Sequence, residues 1–421
     1  MAHILRSFHR RMPWLGAAVL WGIGLVLFIR YPLNVALFSP HPYLMDFNVY
    51  RTVAQRVLAG QAELLYAPTT PTTDMMVFKY APIWAAAWAP LGWWPVYQGA
   101  IVWTALSAAA LTAALAGCRA LCRWDGLQAH PLAAAAAVAL LTRPLAEEMG
   151  NGQVNALWTA LTVGGIAAAA RRRPWTAAAC FAASMLLKLP ALLFLAYFFL
   201  RRHWGLLGRT LACFAAGLWF GSWLLLPAHP WRLVADWAGA LARNGAAYAF
   251  EIGNQSALVW LARFLTPDPY GLNLLSLPRA AVPWIALSLL AGLLWIVSRP
   301  GGTPASASRR WLYDSAMLMT MMVLFSPTAW VASYLALAWP IYLSLTLLTP
   351  PPGGRRPDRW AQTLTIAMLA VSLFQRRDAW RALGLTSWRG ESYLFLVFMV
   401  LPWMGLLAWA SLARQRRVSA A

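Results

Sequence analysis

Residues 281–297 read AVPWIALSLLAGLLWIV, and Ser298 and Arg299 follow. Seventeen positions pass without a charge, close to the ~20 residues a helix needs to cross a bilayer. The apolar residues do not alternate, which excludes a strand of a transmembrane barrel. Residues 132–141 have the same character. Across all 421 residues the composition is 61% hydrophobic and 11% charged, with mean hydropathy +0.56. A soluble domain carries roughly 25% charged residues, so this chain cannot cover a water-facing surface. Disorder, a disulfide scaffold and an ordinary cytosolic enzyme are excluded. The expected fold is an all-α polytopic membrane protein.

Twelve spans are expected, at about 14–29, 96–117, 132–143, 153–170, 175–187, 190–200, 210–226, 281–297, 311–325, 328–348, 361–374 and 393–411. Three of them (132–143, 175–187 and 190–200) are short for a straight crossing. No small-residue cleavage site follows the first run, so it is expected to remain as a helix. Segment 81–94 is broken by Pro82 and Pro90 and stops at Pro95. It reads as re-entrant or interfacial.

The net charge of +21 would suggest nucleic acid in a soluble protein. Here the positive-inside rule explains it, and no nucleic-acid partner is expected. Segments 1–13, 118–131, 171–175, 201–209, 298–310, 349–360 and 412–421 hold 20 of the 34 Lys and Arg in 76 residues. The opposite side spreads the other 14 over 141 residues and holds ten of the thirteen acids. Both termini are therefore expected in the cytoplasm. Two long outer loops, 30–80 and 227–280, exceed ordinary connections and are expected to carry function. Residues 1–297 read as one module containing those loops. Segment 298–310 (SRPGGTPASASRR) reads as a cytoplasmic linker, and 311–421 as a set of C-terminal helices. The cysteines at 118, 122, 180 and 213 occupy apolar runs or cytoplasmic helix ends, so no structural disulfide is expected.

Ionisable and amide groups at the edge of apolar runs are costly and mark function. Asp46 opens an amphipathic helix, 46–58, on the outer side, as its N-cap, as a general base, or as both. Lys79, in Phe78-Lys79-Tyr80-Ala81-Pro82, either snorkels or binds a lipid phosphate. In the run from Glu147 to Asn155, the amides Asn151, Gln153 and Asn155 need partners inside the bundle. The two glutamates read as a loop pair. Lys188 stands with Pro190 at the tip of a hairpin whose other ends are Arg-rich, reaching the interface or holding an anionic headgroup. Asn254 or Ser256 either caps the helix ending near Arg263 or belongs to a site. The segment from Phe325 to Trp330 reads as a short outer turn with an interfacial Trp. No DxD pair, HExxH, CxxC pair, Walker loop or GxSxG is present. No metal and no cofactor are expected.

In order along the chain, these pieces resemble glycosyltransferase family 87 of the GT-C superfamily, the polyprenyl-phosphate-mannose-dependent mannosyltransferases. The resemblance runs over about 14–345 and rests on Asp46, Tyr50, Leu58 and Gly60, then Tyr66, then Phe78, Tyr80 and Pro82. It continues through Asn151, Gly152, Gln153 and Asn155, and through Lys188, Pro190, Arg201 and Arg202. Gly253 to Ser256 with Arg263, and Ser326, Pro327 and Trp330, complete it. It implies a GT-C-like bundle that moves a sugar from a polyprenyl-phosphate donor to a lipid or glycan acceptor outside the cytoplasm, with inversion. Asp46 is then the base, and Lys188, Lys79 and Arg263 meet the donor phosphate. Tyr50, Tyr80, Asn151, Gln153, Asn155, Asn254, Gln255 and Trp330 meet sugar or acceptor. The family often has a His soon after that tryptophan, but Val331, Ala332 and Ser333 follow here. Either one of the named cations supplies that charge, or donor, acceptor or activity has diverged. The rival classes are a flippase for a lipid-linked sugar, which would show repeats and broken helices, and a non-catalytic envelope-assembly protein.

Reporter fusions test the orientation. Those after Arg173, Arg202 and Arg310 should behave as cytoplasmic, and those at Asn244 and Arg381 as external; reversal at any two sites discards it.

Overall fold

The computed structural model describes residues 22, 44–69, 76–127, 131–251, 253–267, 273–299, 307–348, 358–373 and 400–418. Among them there is no strand. In chain order the first helices are α1 (Met45–Leu58), α2 (Pro82–Trp88), α3 (Val96–Trp124), α4 (Pro131–Leu140), α5 (Thr142–Asn151), α6 (Asn155–Ala170), α7 (Pro174–Leu187) and α8 (Leu193–Leu200). After them come α9 (Trp204–Leu225), α10 (Pro230–Tyr248), α11 (Ala257–Leu265), α12 (Ala281–Ser298), α13 (Ala307–Leu324), α14 (Ala338–Leu348), α15 (Arg359–Leu373) and α16 (Val400–Val418). The chain forms two compact units: a first of 24–114 and 146–248, and a second of 1–23, 115–145 and 249–421.

Small residues bring the helices of the first unit together, as expected where packing rather than water expulsion drives association. Gly165 of α6 lies under the Phe181 ring of α7, where a Cβ would come within 3.1 Å. Thr162 and Ser184 share a buried hydrogen bond of 2.8 Å between the same helices. At Gly221 of α9 an added Cβ would stand 2.3 Å from the Ile83 nitrogen, so the backbone of α2 rests directly on α9. Pro82 begins α2 at a position where no N–H is needed. Just before it, the Ala81 N–H donates to the Leu186 carbonyl at 3.0 Å, joining the 78–81 segment to the end of α7. α1 buries Phe47, Tyr50, Val53 and Ala54 at helical spacing. The bend between α9 and α10 is 112°, and α10 buries Leu233, Trp237, Ala240 and Asn244 along one face.

In the second unit α13 is buried without interruption from Leu312 to Leu324. Trp339 of α14 donates its indole N–H to Ser315 of α13 at 3.1 Å. Asp125 and Asp358, in expected cytoplasmic segments, pair with Arg309 and Arg414, and Asp314, near the start of the expected span 311–325, pairs with Arg310 and Arg416. Arg310 and Arg416 also donate to the Arg299 carbonyl. The ends of α12, α13 and α16 are thus held by one charged cluster.

Among the described residues, α3, α12 and the stretch Val331–Leu348 are long and apolar enough to cross a membrane. Counting the bent pair α9–α10 as one span makes four. The expected twelve are not all matched by spanning helices. Runs 132–143, 175–187 and 190–200 form helices of 10, 14 and 8 residues, and 153–170 one of 16. The physical reason is punctuation: Pro174 starts α7, and Lys188 and Pro190 break the chain before α8. The runs at 14–29, apart from residue 22, and, up to residue 399, 393–411 lie outside the described residues, as do 300–306 of the expected linker. Residues 307–310 begin α13. Trp219, Phe220 and Trp223 on α9, with Trp284 and Trp295 on α12, face outward. So much exposed aromatic surface on apolar helices suits lipid rather than water.

The cluster around Asp314 predicts a contrast. Asp314 is fully buried between two arginines, so Asp314→Asn leaves buried positive charge and should cost about 3–5 kcal/mol. Asp358 and Arg414 meet at the surface, with Arg414 44% exposed, and Asp358→Asn should change the thermal midpoint in detergent far less than Asp314→Asn. Equal midpoints for the two variants would refute the contrast.

Candidate active site

The site forms in the first unit, where α1, the 78–81 segment, the α5–α6 junction and the end of α7 meet. Asp46 lies in the first turn of α1 and keeps part of its surface open. The N-cap is Leu44, with no side-chain capping bond, so capping is not what holds Asp46. The Gln153 side chain lies beside its carboxylate instead. Burial lifts the Asp46 carboxyl above its ordinary range, opposed by Lys79, Lys188 and Gln153.

The turn that presents Gln153 is held from two sides. Gly152 has φ +66°, a left-handed conformation that favours glycine. A Cβ there would stand 2.7 Å from the Phe47 Cβ, so the turn lies directly against α1 beside Asp46. Trp103 of α3 donates its indole N–H to the Gly152 carbonyl at 2.8 Å.

Beyond Gln153 the polar groups form a chain. Asn155, fully buried, donates its amide to Gln153 Oε1 at 2.7 Å and to Glu148 Oε2 at 2.8 Å. The second Glu148 oxygen accepts from the Ala156 N–H at 2.8 Å. Lys188 donates to Asn155 Oδ1, and its ammonium lies 5.4 Å from the centre of the Trp158 ring. Burial lowers the Lys188 pKa, opposed by Glu148 and Asp46, and raises that of Glu148, opposed chiefly by its hydrogen bonds from Ala156 and Asn155. Lys79 sits 4.9 Å from the Tyr248 ring centre. Its carbonyl accepts from Trp237 of α10 at 3.1 Å. Burial lowers the Lys79 pKa as well, with Asp46 opposing.

An aromatic wall stands behind the carboxylate. The Tyr50 ring centre lies 4.8 Å from Trp88 and 5.1 Å from Trp103. Tyr50 and Tyr80 share a hydrogen bond of 3.0 Å between their hydroxyls, and Tyr66 donates to the Tyr80 carbonyl. Burial raises the pKa of both Tyr50 and Tyr80, so they stay protonated as donors.

Asp46, Lys79, Lys188, Tyr50, Tyr80, Gln153 and Asn155 are therefore brought together. Asn151 is at the edge, bonded to Glu147 at 3.3 Å. The remaining expected residues lie in the second unit. Asn254 is saturated: its amide donates to the Ala249 and Pro327 carbonyls, and its oxygen accepts from the Ser256 and Ala329 N–H groups. It shapes that loop and has nothing left to offer a sugar. Ser256 caps α11 through Val259. Trp330 lies over Gly253, where a Cβ would come within 2.8 Å. Gln255 is held by its backbone to Ala329 and Tyr334, while its buried Oε1 has no hydrogen-bond partner. Arg263 is buried in the last turn of α11.

Glu148 is what the sequence reading missed. The two glutamates looked alike in sequence, yet helix α5 turns them to different faces: Glu147 stays accessible and Glu148 is 1% exposed. One signal was available. The 34 basic residues include only two lysines, Lys79 and Lys188, and the fold brings both near the partly open Asp46 carboxylate.

A polytopic helical membrane protein with this arrangement can take a proton at a carboxylate while nearby cations meet an anion. The model of glycosyltransferase family 87 matches residues 78–327, more than half of the chain, so the protein belongs to that family and is a membrane glycosyltransferase. It is 26% identical over 440 residues to the polyprenol-phosphate-mannose-dependent alpha-(1-2)-phosphatidylinositol mannoside mannosyltransferase of Mycobacterium tuberculosis, covering 96% of this chain and 95% of the relative. The protein of the same name from Mycolicibacterium smegmatis is 26% identical over 406 residues, covering 87% and 84%.

Gly152 gives the site a direct test. Gly152→Ala adds a Cβ at positive φ against the Phe47 side chain, which should cost about 1–3 kcal/mol and draw Gln153 off Asp46. Glycosyl transfer should fall even in preparations that remain folded by size-exclusion chromatography. Full activity in that variant would show that the turn does not position the site.

Proposed function

We propose that this glycosyltransferase moves a mannosyl unit from polyprenyl-phosphate-mannose to a lipid-linked acceptor of the phosphatidylinositol mannoside type, on the extracytoplasmic side. Family membership and the printed names of the two relatives support the donor and acceptor classes. The observation that carries the mechanism is the convergence of the chain's only two lysines on Asp46.

The reaction is a single displacement with inversion. Asp46 takes the proton of the acceptor hydroxyl, whose oxygen attacks the anomeric carbon. The bond from that carbon to the phosphate oxygen breaks, and polyprenyl phosphate leaves with the electron pair. A phosphate is a stable anion, so its departure needs cations rather than an acid. Lys188 and Lys79 supply them, and Arg263 is a third candidate. Tyr50, Tyr80, Asn151, Gln153 and Asn155 offer hydrogen bonds to sugar hydroxyls, and Gln255 and Trp330 are further candidates. Burial makes the Asp46 carboxylate a stronger base than an exposed one. Both termini are cytoplasmic in this reading.

Purified protein in lipid nanodiscs, given radiolabelled polyprenyl-phosphate-mannose and a mannosylated phosphatidylinositol, should yield an acceptor one sugar longer, with anomeric configuration opposite to that of the donor. Asp46→Asn should lower turnover by on the order of 10²–10⁴-fold while donor binding is kept. Because Asp46 must be deprotonated to act, wild-type turnover should fall as pH drops through a pKa above the ordinary aspartate range. Lys188→Met should weaken donor binding about tenfold or more, and Lys188→Arg should retain part of it. Donor transport without product, or full turnover by Asp46→Asn, would refute the proposal.

A further inference from the structure

We infer that Glu148 is a positioning residue of this site: its carboxylate sets which way the Asn155 and Gln153 amides face, and thereby orients Lys188 and Asp46. The inference rests on the proposed function only for what those two groups do in the reaction; the orientation itself is a property of the ligand-free protein.

A carboxylate accepts hydrogen bonds and donates none. Both oxygens of Glu148 are occupied, one by the Ala156 N–H and the other by the Asn155 amide. Asn155 must therefore turn its NH2 group toward Glu148. Its second N–H reaches Gln153 Oε1, and its own oxygen is left facing Lys188, which donates to it. With its oxygen taken, Gln153 has only its NH2 group to turn toward Asp46, beside which it lies. Every direction in the series follows from the acceptor-only end. A reversed amide at either position would set N–H against N–H or bring an NH2 group up to an ammonium.

Charge works in the same sense. A buried carboxylate without a counter-charge is costly, and Lys188 faces Glu148. The other titratable groups around it are Asp46 and Tyr50 from α1, and Lys79 and Tyr80 from the 78–81 segment. Glu148→Gln keeps shape and removes both the charge and the acceptor-only character. If its oxygen stays on Ala156, its NH2 group meets the NH2 of Asn155. Asn155 must then turn over and present N–H groups to Lys188.

With two lysines in the chain, biosynthetic labelling with [ε-13C]lysine gives two side-chain signals, and Lys188→Met assigns them. In ligand-free protein, Glu148→Gln should make Lys188 titrate at least about one pH unit lower than wild type, with a smaller effect on Lys79. A Lys188 titration unchanged by Glu148→Gln would overturn the inference. Should that variant not fold, Glu148→Asp decides. Aspartate keeps the charge but is one methylene too short to reach both partners, so Lys188 should titrate as in wild type while turnover falls about tenfold to a hundredfold. Wild-type turnover in Glu148→Asp would overturn the inference. Failure of the wild-type protein to transfer mannose would refute the proposed function and leave the lysine titration as a separate result.

Discussion

A charge carried out of water into an apolar helical protein has to find its counter-charge there, because no solvent will compensate it. In the first unit that requirement is met by two carboxylates, two ammonium groups and the amides between them. Glu148 is buried with Lys188 opposite it, and Asp46, with Lys79 and Lys188 beside it, keeps part of its surface open, as do both lysines. The meeting of four chain segments at one place follows from this. The aromatic wall, the Gly152 turn and the close approach of α2 to α9 are the packing around these charges.

The choice of cation carries meaning. Arginine supplies every other Lys or Arg position in the chain, including the partners of Asp125 and Asp314. Guanidinium is always charged and spreads its donors in a flat fork, which suits permanent ties at helix ends. Ammonium is compact and changes its proton affinity readily when buried. A site that must hold an anion in one state and release it in the next is better served by the second kind.

Much of this was legible from sequence because the polar residues are few and out of place. Asp46, Lys79, Lys188 and the amides near residue 153 stood out as costs in an apolar chain, and the fold brings all of them together. Glu148 did not stand out, since its neighbour Glu147 made both look like loop charge; only the turn of α5 separates them. Asn254 stood out for the wrong reason. A buried amide needs partners, but the sequence does not say whether those are a ligand or the loop's own backbone, and here they are the backbone. The expected crossings were read from runs of apolar residues, and prolines cut several of those runs into helices too short to span. Which distant helices close the polar series is a tertiary fact that no local pattern carries.

The hydrogen bond from the Ala81 N–H to the Leu186 carbonyl ties two segments whose side chains include Lys79 and Lys188. Each lysine is two residues from that junction, so the spacing of the two cations is gauged by main chain. Main chain is what mutation alters least. Residues elsewhere around the site can drift while the gauge stays constant, so a lineage built on this scaffold keeps the separation of its two ammonium groups as their surroundings change.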